Sequence, residues 1–136
     1  MMRTSYCVNS LQFGLLFTLL TLLFVGTARA QETKQMIRIA KLEIDPLQLE
    51  SYKVALKAEI ETSVRVEPGV LTLYAVYDKN NPAHVTVFEI YADEEAYKLH
   101  IQSSHFKKYK DGTKDMVKSL ELSEVVPIAL KTKGKL

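Results

Sequence analysis

Tryptophan is absent from this 136-residue chain, cysteine occurs once and glycine five times, and each shortage removes some chemistry. The single cysteine, Cys7, lies within residues 1–30, so from Gln31 onward there is no disulfide, no thiolate metal ligand and no cysteine nucleophile. Gly14 and Gly26 fall in the same segment. Only Gly69, Gly112 and Gly134 remain, and none stands in a glycine-rich phosphate loop. There is no G-x-S-x-G elbow, no H-E-x-x-H pair, and no spacing of Asp, Glu and His that suggests a metal cage. Neither a nucleotide cofactor nor a metal is expected.

Charge of one sign is also lacking. Arg3 and Arg29 of the leading segment account for the whole excess of 18 basic over 16 acidic residues, so residues 31–136 carry no net charge. A neutral domain has no global field for nucleic acid. Lys107, Lys108, Lys110, Lys114 and Lys118 form the one local excess, and helical spacing spreads them as a solvated face interrupted by Asp111 and Asp115.

The first thirty residues read as an export signal. Arg3 supplies the positive end, Phe13 to Val25 is apolar apart from Gly14, Thr18 and Thr21, and Ala28-Arg29-Ala30 fits the small-x-small cleavage pattern. A spanning helix needs roughly 20 apolar residues. This run is shorter, so the expectation is cleavage after Ala30, a periplasmic or secreted protein, and no stable membrane span afterwards. Residues 31–136 then form a single domain, near the size at which one core is thin and burial through oligomerisation helps.

Within that domain Met36 to Ile44 is rich in β-branched residues and reads as a first strand. Its apolar positions change parity between Ile39 and Leu42, which implies a bulge or two buried faces. Asp45 as cap, Pro46 in the first turn and Gln48 as a capping-box partner open a helix. Leu49, Tyr52, Leu56 and Ile60 form its apolar stripe, and Glu67-Pro68-Gly69 ends it. Val70 to Tyr77 and His84 to Tyr91 are strands joined by a polar turn, and both are apolar on both faces. Asp93 caps a short helix through His100, Ser103 or Ser104 caps another from His105 to about Ser119, and Leu120 to Ala129 closes as a strand with Pro127 near its end. The order is the split βαββαβ of a ferredoxin-like α+β fold, one antiparallel sheet with helices on one face. Such a sheet needs only one apolar face, so something must cover the other.

The run from Phe88 to Phe106, FEIYADEEAYKLHIQSSHF, resembles the signature stretch of antibiotic biosynthesis monooxygenase domains, also called quinol monooxygenases. Glu67-Pro68-Gly69-Val70, Leu120-Glu121-Leu122 and Val125-Val126-Pro127 are similar too, so the likeness covers about Met36 to Leu130. The resemblance implies a homodimeric α+β barrel in which two sheets pack face to face, each subunit keeping a pocket between helices and sheet. It also implies oxygenation of a small phenol or quinol by dioxygen with no metal or organic cofactor. Haem-degrading members of the same superfamily use a Trp, an axial His and an Asn. His100 stands where that Trp would be and Tyr109 where that His would be, which disfavours haem chemistry.

The implied reaction needs a base for a phenolic proton, and histidine titrates near neutrality. His84, beside a polar turn, reads as solvent-exposed. His100 and His105, five residues apart across the Ser103-Ser104 break, are the candidate base and orienting group. The alternative for His100 is interaction with its helix's last carbonyls, whereas for His105 a helix N-terminus favours the neutral, basic form and so supports a site role. Tyr91 and Tyr109 are candidates for binding a quinol, or else ordinary core or dimer contacts. Glu89 is either a cross-strand partner of Arg38 or a pocket carboxylate. A non-catalytic exported ligand-binding or stress-related dimer is the alternative to a monooxygenase, and isomerase-type chemistry on a small metabolite a third reading. The leader makes one prediction: N-terminal sequencing of exported protein should begin at Gln31, and a start at Met1 would contradict a cleaved signal.

Overall fold

The computed structural model describes residues 35–131 and 133; the leader and most of the tail beyond Lys131 lie outside them. Strand β1 (Met36–Ile44) leads through a short 3-10 turn (Pro46–Gln48) into helix α1 (Leu49–Val66). Strands β2 (Val70–Tyr77) and β3 (His84–Tyr91) come next, then helices α2 (Glu94–Gln102) and α3 (Ser104–Thr113), and strand β4 (Val117–Glu124). The sheet is antiparallel in the order β2-β3-β1-β4, the ferredoxin-like α+β arrangement. None of the described helices is long and apolar enough to cross a membrane.

Local chemistry accounts for the joints. Asp45 accepts from the Leu47 amide at 3.0 Å and so caps the 3-10 turn, while Gln48 donates to the Asp115 carbonyl at 3.2 Å. The expected capping box is therefore replaced by a long-range tie. Between β2 and β3 the Asp78 carboxylate accepts from the amides of Asn80 and Asn81, which tightens the turn. The parity change in β1 reflects two faces, not a bulge of that strand: pairing with β3 runs unbroken from Met36 to Glu43, with Ala40 and Leu42 buried on one face and Ile37 on the other. The one register shift along β1 lies further on and in β4, where Glu43 faces Ser119 but Ile44 faces Val117.

Two boundaries differ from the sequence expectation. The last helix ends at Thr113, not near Ser119, and the last strand spans Val117–Glu124, not Leu120 to Ala129. At the break the Thr113 hydroxyl donates to the Tyr109 carbonyl at 2.8 Å, and the Thr113 carbonyl accepts from Met116 at 2.9 Å. This tight turn comes directly after Gly112, a weak helix position. The Asp45 amide then binds the Met116 carbonyl at 2.8 Å and pulls the chain into register beside β1.

One sheet face carries Ala40, Leu42, Val85 and Val87, which pack with Tyr52 and Leu56 of α1 into the main core. A second cluster, Val70, Leu73 and Tyr91, sits under Tyr97 of α2. On the opposite face Ile39, Phe88 and Tyr74 stand side by side across three strands, and Tyr74 and Val76 are more than half exposed. The two-sided alternation of the strands thus leaves an apolar row that no described helix covers.

Gly69 sets how closely α2 approaches the turn between α1 and β2: a Cβ there would lie 2.5 Å from the Ala96 methyl, while the Gly69 carbonyl accepts from Ala92 at 2.9 Å. Gly69→Ala should therefore lower stability by about 1–3 kcal/mol, as overpacking does in close-packed interiors. An unchanged urea midpoint would show that α2 moves off the turn without cost.

Candidate active site

The site forms where the end of α1 meets the joint between α2 and α3. Pro68 disfavours helical backbone at the residue before it. Glu67 accordingly leaves α1 in an extended conformation (φ −104°, ψ 107°) while its amide still donates to the Ser63 carbonyl. Ser103 ends α2 by donating its amide to the His100 carbonyl at 3.0 Å, and starts α3 by accepting from the Phe106 amide at 3.3 Å. One serine thus bends the chain so that His100 and His105 converge, their ring centroids 6.5 Å apart.

Both rings meet Glu67. Its Oε1 lies 2.9 Å from His100 Nδ1 and 2.6 Å from His105 Nε2. A carboxylate only accepts, so both imidazoles donate, His100 through Nδ1 and His105 through Nε2. Partial burial opposes the charge on Glu67, but the hydrogen bonds from His100 and His105 outweigh it and hold the carboxyl below its ordinary range. Nε2 of a neutral His100 is then left with its lone pair. That nitrogen lies 3.9 Å from Glu59 Oε1, which accepts from the Ser63 hydroxyl at 2.6 Å. His100, Glu59 and Ser63 are all buried, so this polar chain stands inside the apolar layer.

His100 and Glu59 line a cavity of about 330 Å³ between helices and sheet, near the lower end for small-molecule sites. Leu56, Ile60, Leu73, Val87 and Phe106 make its apolar walls. Glu89 also lines it, accepting from the Tyr91 hydroxyl at 3.0 Å. Burial pushes the Glu89 carboxyl up, only partly offset by the Tyr91 hydrogen bond and the nearby Arg38 charge. Arg38 faces Glu89 in strand register, but among the described residues the two make no ion pair. Its guanidinium instead lies 4.4 Å over the Tyr97 ring, and its Nε–H is buried with no acceptor among the described residues. Burial likewise raises Tyr91, with Glu89 adding to it, and Tyr109, whose hydroxyl lies 2.8 Å from that of Tyr52. Both remain neutral phenols facing the cavity.

The candidates from the sequence therefore separate. His100, Tyr91, Tyr109 and Glu89 share the cavity wall, whereas His105 stands behind Glu67 and reaches partial exposure. His84 is exposed beside Asn81. Glu67, Glu59 and Ser63 were missed. Glu59 and Ser63 lie four residues apart on the same helix face as Tyr52 and Leu56, and a carboxylate inside an apolar stripe was the available signal. Glu67 read only as the end of a helix.

Folding also assembles what linear spacing did not suggest. Donor atoms of Glu59, His100 and His105 lie within 4.8 Å of one another, a set compatible in type with a divalent metal. However, His105 Nε2 is already held by Glu67 at 2.6 Å, and a metal taking that nitrogen would have to break the contact. The residues fit a hydrogen-bonded triad better than a metal centre.

Residues 36–112 match the family described as antibiotic biosynthesis monooxygenase. A crystal structure assigned to that group, from Bacteroides thetaiotaomicron, is similar at 56% identity and a TM-score of 0.72, covering 75% of this chain and 97% of that one. A structure assigned as a monooxygenase, from Lactobacillus acidophilus, is 31% identical with a TM-score of 0.67, covering 70% of this chain and 46% of that one. One from Fusobacterium nucleatum is 26% identical with a TM-score of 0.71, over 78% and 48% respectively. The chain thus spans about half the length of the latter two. No curated protein matches it.

The Glu67 contacts predict a pH signature. A carboxyl held below its ordinary value of 4.5 stabilises the fold above that value and loses its contribution as pH falls through the folded-state value. Glu89 acts in the opposite sense and is common to both proteins compared. Urea midpoints should therefore fall less steeply below about pH 4.5 in Glu67→Gln than in wild type, and equal slopes would remove Glu67 from the account.

Proposed function

The chain belongs to the antibiotic biosynthesis monooxygenase family, and on that premise we propose that it oxygenates a small quinol or polyphenol with dioxygen, using His100 as base and no metal or organic cofactor. The observation that carries the reading is the buried His100 ring at the cavity wall, its Nδ1–H tied to Glu67 and its Nε2 left to accept.

That placement dictates the steps. Nε2 takes a phenolic proton, and Glu67 stabilises the imidazolium that results. The anion passes an electron to dioxygen, and the apolar walls keep the resulting pair together and exclude water. Arg38 offers its unmet Nε–H to the oxygen on which negative charge sits. Bond formation at a ring carbon bearing hydrogen, and then loss of water, places one oxygen atom in the product as a carbonyl and the other in water. The substrate supplies all four electrons, so no external reductant is required. Tyr91 and Tyr109, as neutral phenols, orient the ring by hydrogen bonding.

The same proposal places the enzyme outside the cytoplasm as a homodimer. The leader pattern supports export, and the uncovered row Ile39, Phe88 and Tyr74 supports sheet-to-sheet pairing.

Purified protein, dimeric by sedimentation, should consume oxygen with hydroquinones in the presence of a chelator. His100→Ala should lower kcat/KM at least tenfold, about 1.4 kcal/mol of transition-state stabilisation, with a smaller loss in His105→Ala. Saturable quinol binding without uptake above the spontaneous rate would instead make this a binding protein, and a monomer would overturn the assembly.

A further inference from the structure

The lysines beyond His105 do not form the single solvated face that their spacing suggested. Lys110, Lys114 and Lys118 line the cavity, and Lys107 and Lys108, both exposed, do not. Lys110 and Lys114 lie one helical turn apart at the end of α3 and in the turn after it. Lys118 is the residue skipped in the β1–β4 pairing, where Glu43 faces Ser119 and Ile44 faces Val117. Lys118 keeps the parity of Leu120 and Leu122, whose partners Leu42 and Ala40 face the core, so strand alternation leaves it on the cavity side, while the bulge brings Val117 to the same side. All three are exposed, so they stand at the mouth, and His100, Glu59 and Arg38 stand in the wall.

The mouth is not internally neutralised. Lys118 approaches Asp45 only at 4.0 Å, and neither Lys110 nor Lys114 meets a carboxylate within that distance among the described residues. Inside, the carboxylates are already engaged, Glu59 by Ser63 and Glu89 by Tyr91. Arg38 adds an unmet donor in the wall. The Ser63 and Tyr91 hydroxyls leave the carboxylates' charge in place, but the lining sets Arg38, Lys110, Lys114 and Lys118 against Glu59 and Glu89, so cationic groups outnumber anionic ones. A mouth of one sign over low-dielectric walls concentrates ligands of the opposite sign.

We infer that the ligand is an anionic aromatic, a hydroquinone bearing a carboxylate, with its acid group at Lys110, Lys114 and Lys118 and a hydroxyl at His100. The hydroxyl end rests on the proposed function; the charge preference does not.

Calorimetry under argon, where no turnover occurs, separates the two. 2,5-Dihydroxybenzoate should bind at least tenfold more tightly than hydroquinone, and the advantage should shrink as salt is raised. The double variant Lys110→Glu/Lys114→Glu should abolish it, whereas Lys107→Glu/Lys108→Glu, of equal net charge, should keep it. Equal affinity for the two ligands, or a preference that survives the mouth variant, overturns the inference even if hydroquinone is oxidised. A salt-sensitive preference that the mouth variant abolishes, with no oxygen uptake in air, leaves the inference standing and removes the oxygenase.

Discussion

The Glu67 carboxylate accepts from two imidazoles that arrive on different helices, and the rest of the site depends on that shared acceptor. Because a carboxylate offers only lone pairs, each ring must turn a protonated nitrogen toward it. This fixes the His100 tautomer and leaves Nε2 as its basic atom. The same contact ties the end of α1 to the joint between α2 and α3, which positions the helical layer over the sheet and keeps the cavity open beneath it. Buried polar groups of this kind stabilise the fold weakly, because desolvation opposes their attraction. Their structural value is to specify one arrangement among several similar packings.

Around that tie the cavity keeps its ionisable groups in different states. Glu67 is held as a carboxylate by its donors, Glu89 is driven toward its neutral form by burial, and Tyr91 and Tyr109 remain phenols. Titratable neighbours pushed apart in this way mark functional sites more often than structural ones. Membership of the antibiotic biosynthesis monooxygenase family supports a monooxygenase-like role, and the Glu67 contact supports the base proposed for it.

Much of the fold was legible because its signals are local. Strand alternation with a polar turn located β2 and β3 to the residue, and Asp45 and Pro46 marked the entry to the first helical segment. The resemblance in residues 88–106 pointed to the right family. The end of α3 was not legible, since residues 114–119 keep a helix-compatible spacing, and only long-range ties from Asp45 and Gln48 hold residues 115 and 116 in the turn that ends it. The site was legible in half. His100 and His105 stood out as rare residue types, but Glu67 lies 33 residues from one and 38 from the other, a pairing that appears only after folding. The lysine row failed with the helix end, because its helical spacing assumed a helix through residues that lie in a turn and, for Lys118, on a strand.

Nitrogen-15 NMR of the histidine rings tests the central claim most directly, since it reports which nitrogen of a neutral imidazole carries the proton. The account predicts that neutral His100 is protonated on Nδ1 and bare on Nε2, and that the Nδ1 resonance shifts when Glu67 is replaced by Gln. A neutral His100 protonated on Nε2 would leave no base facing the cavity and would contradict it.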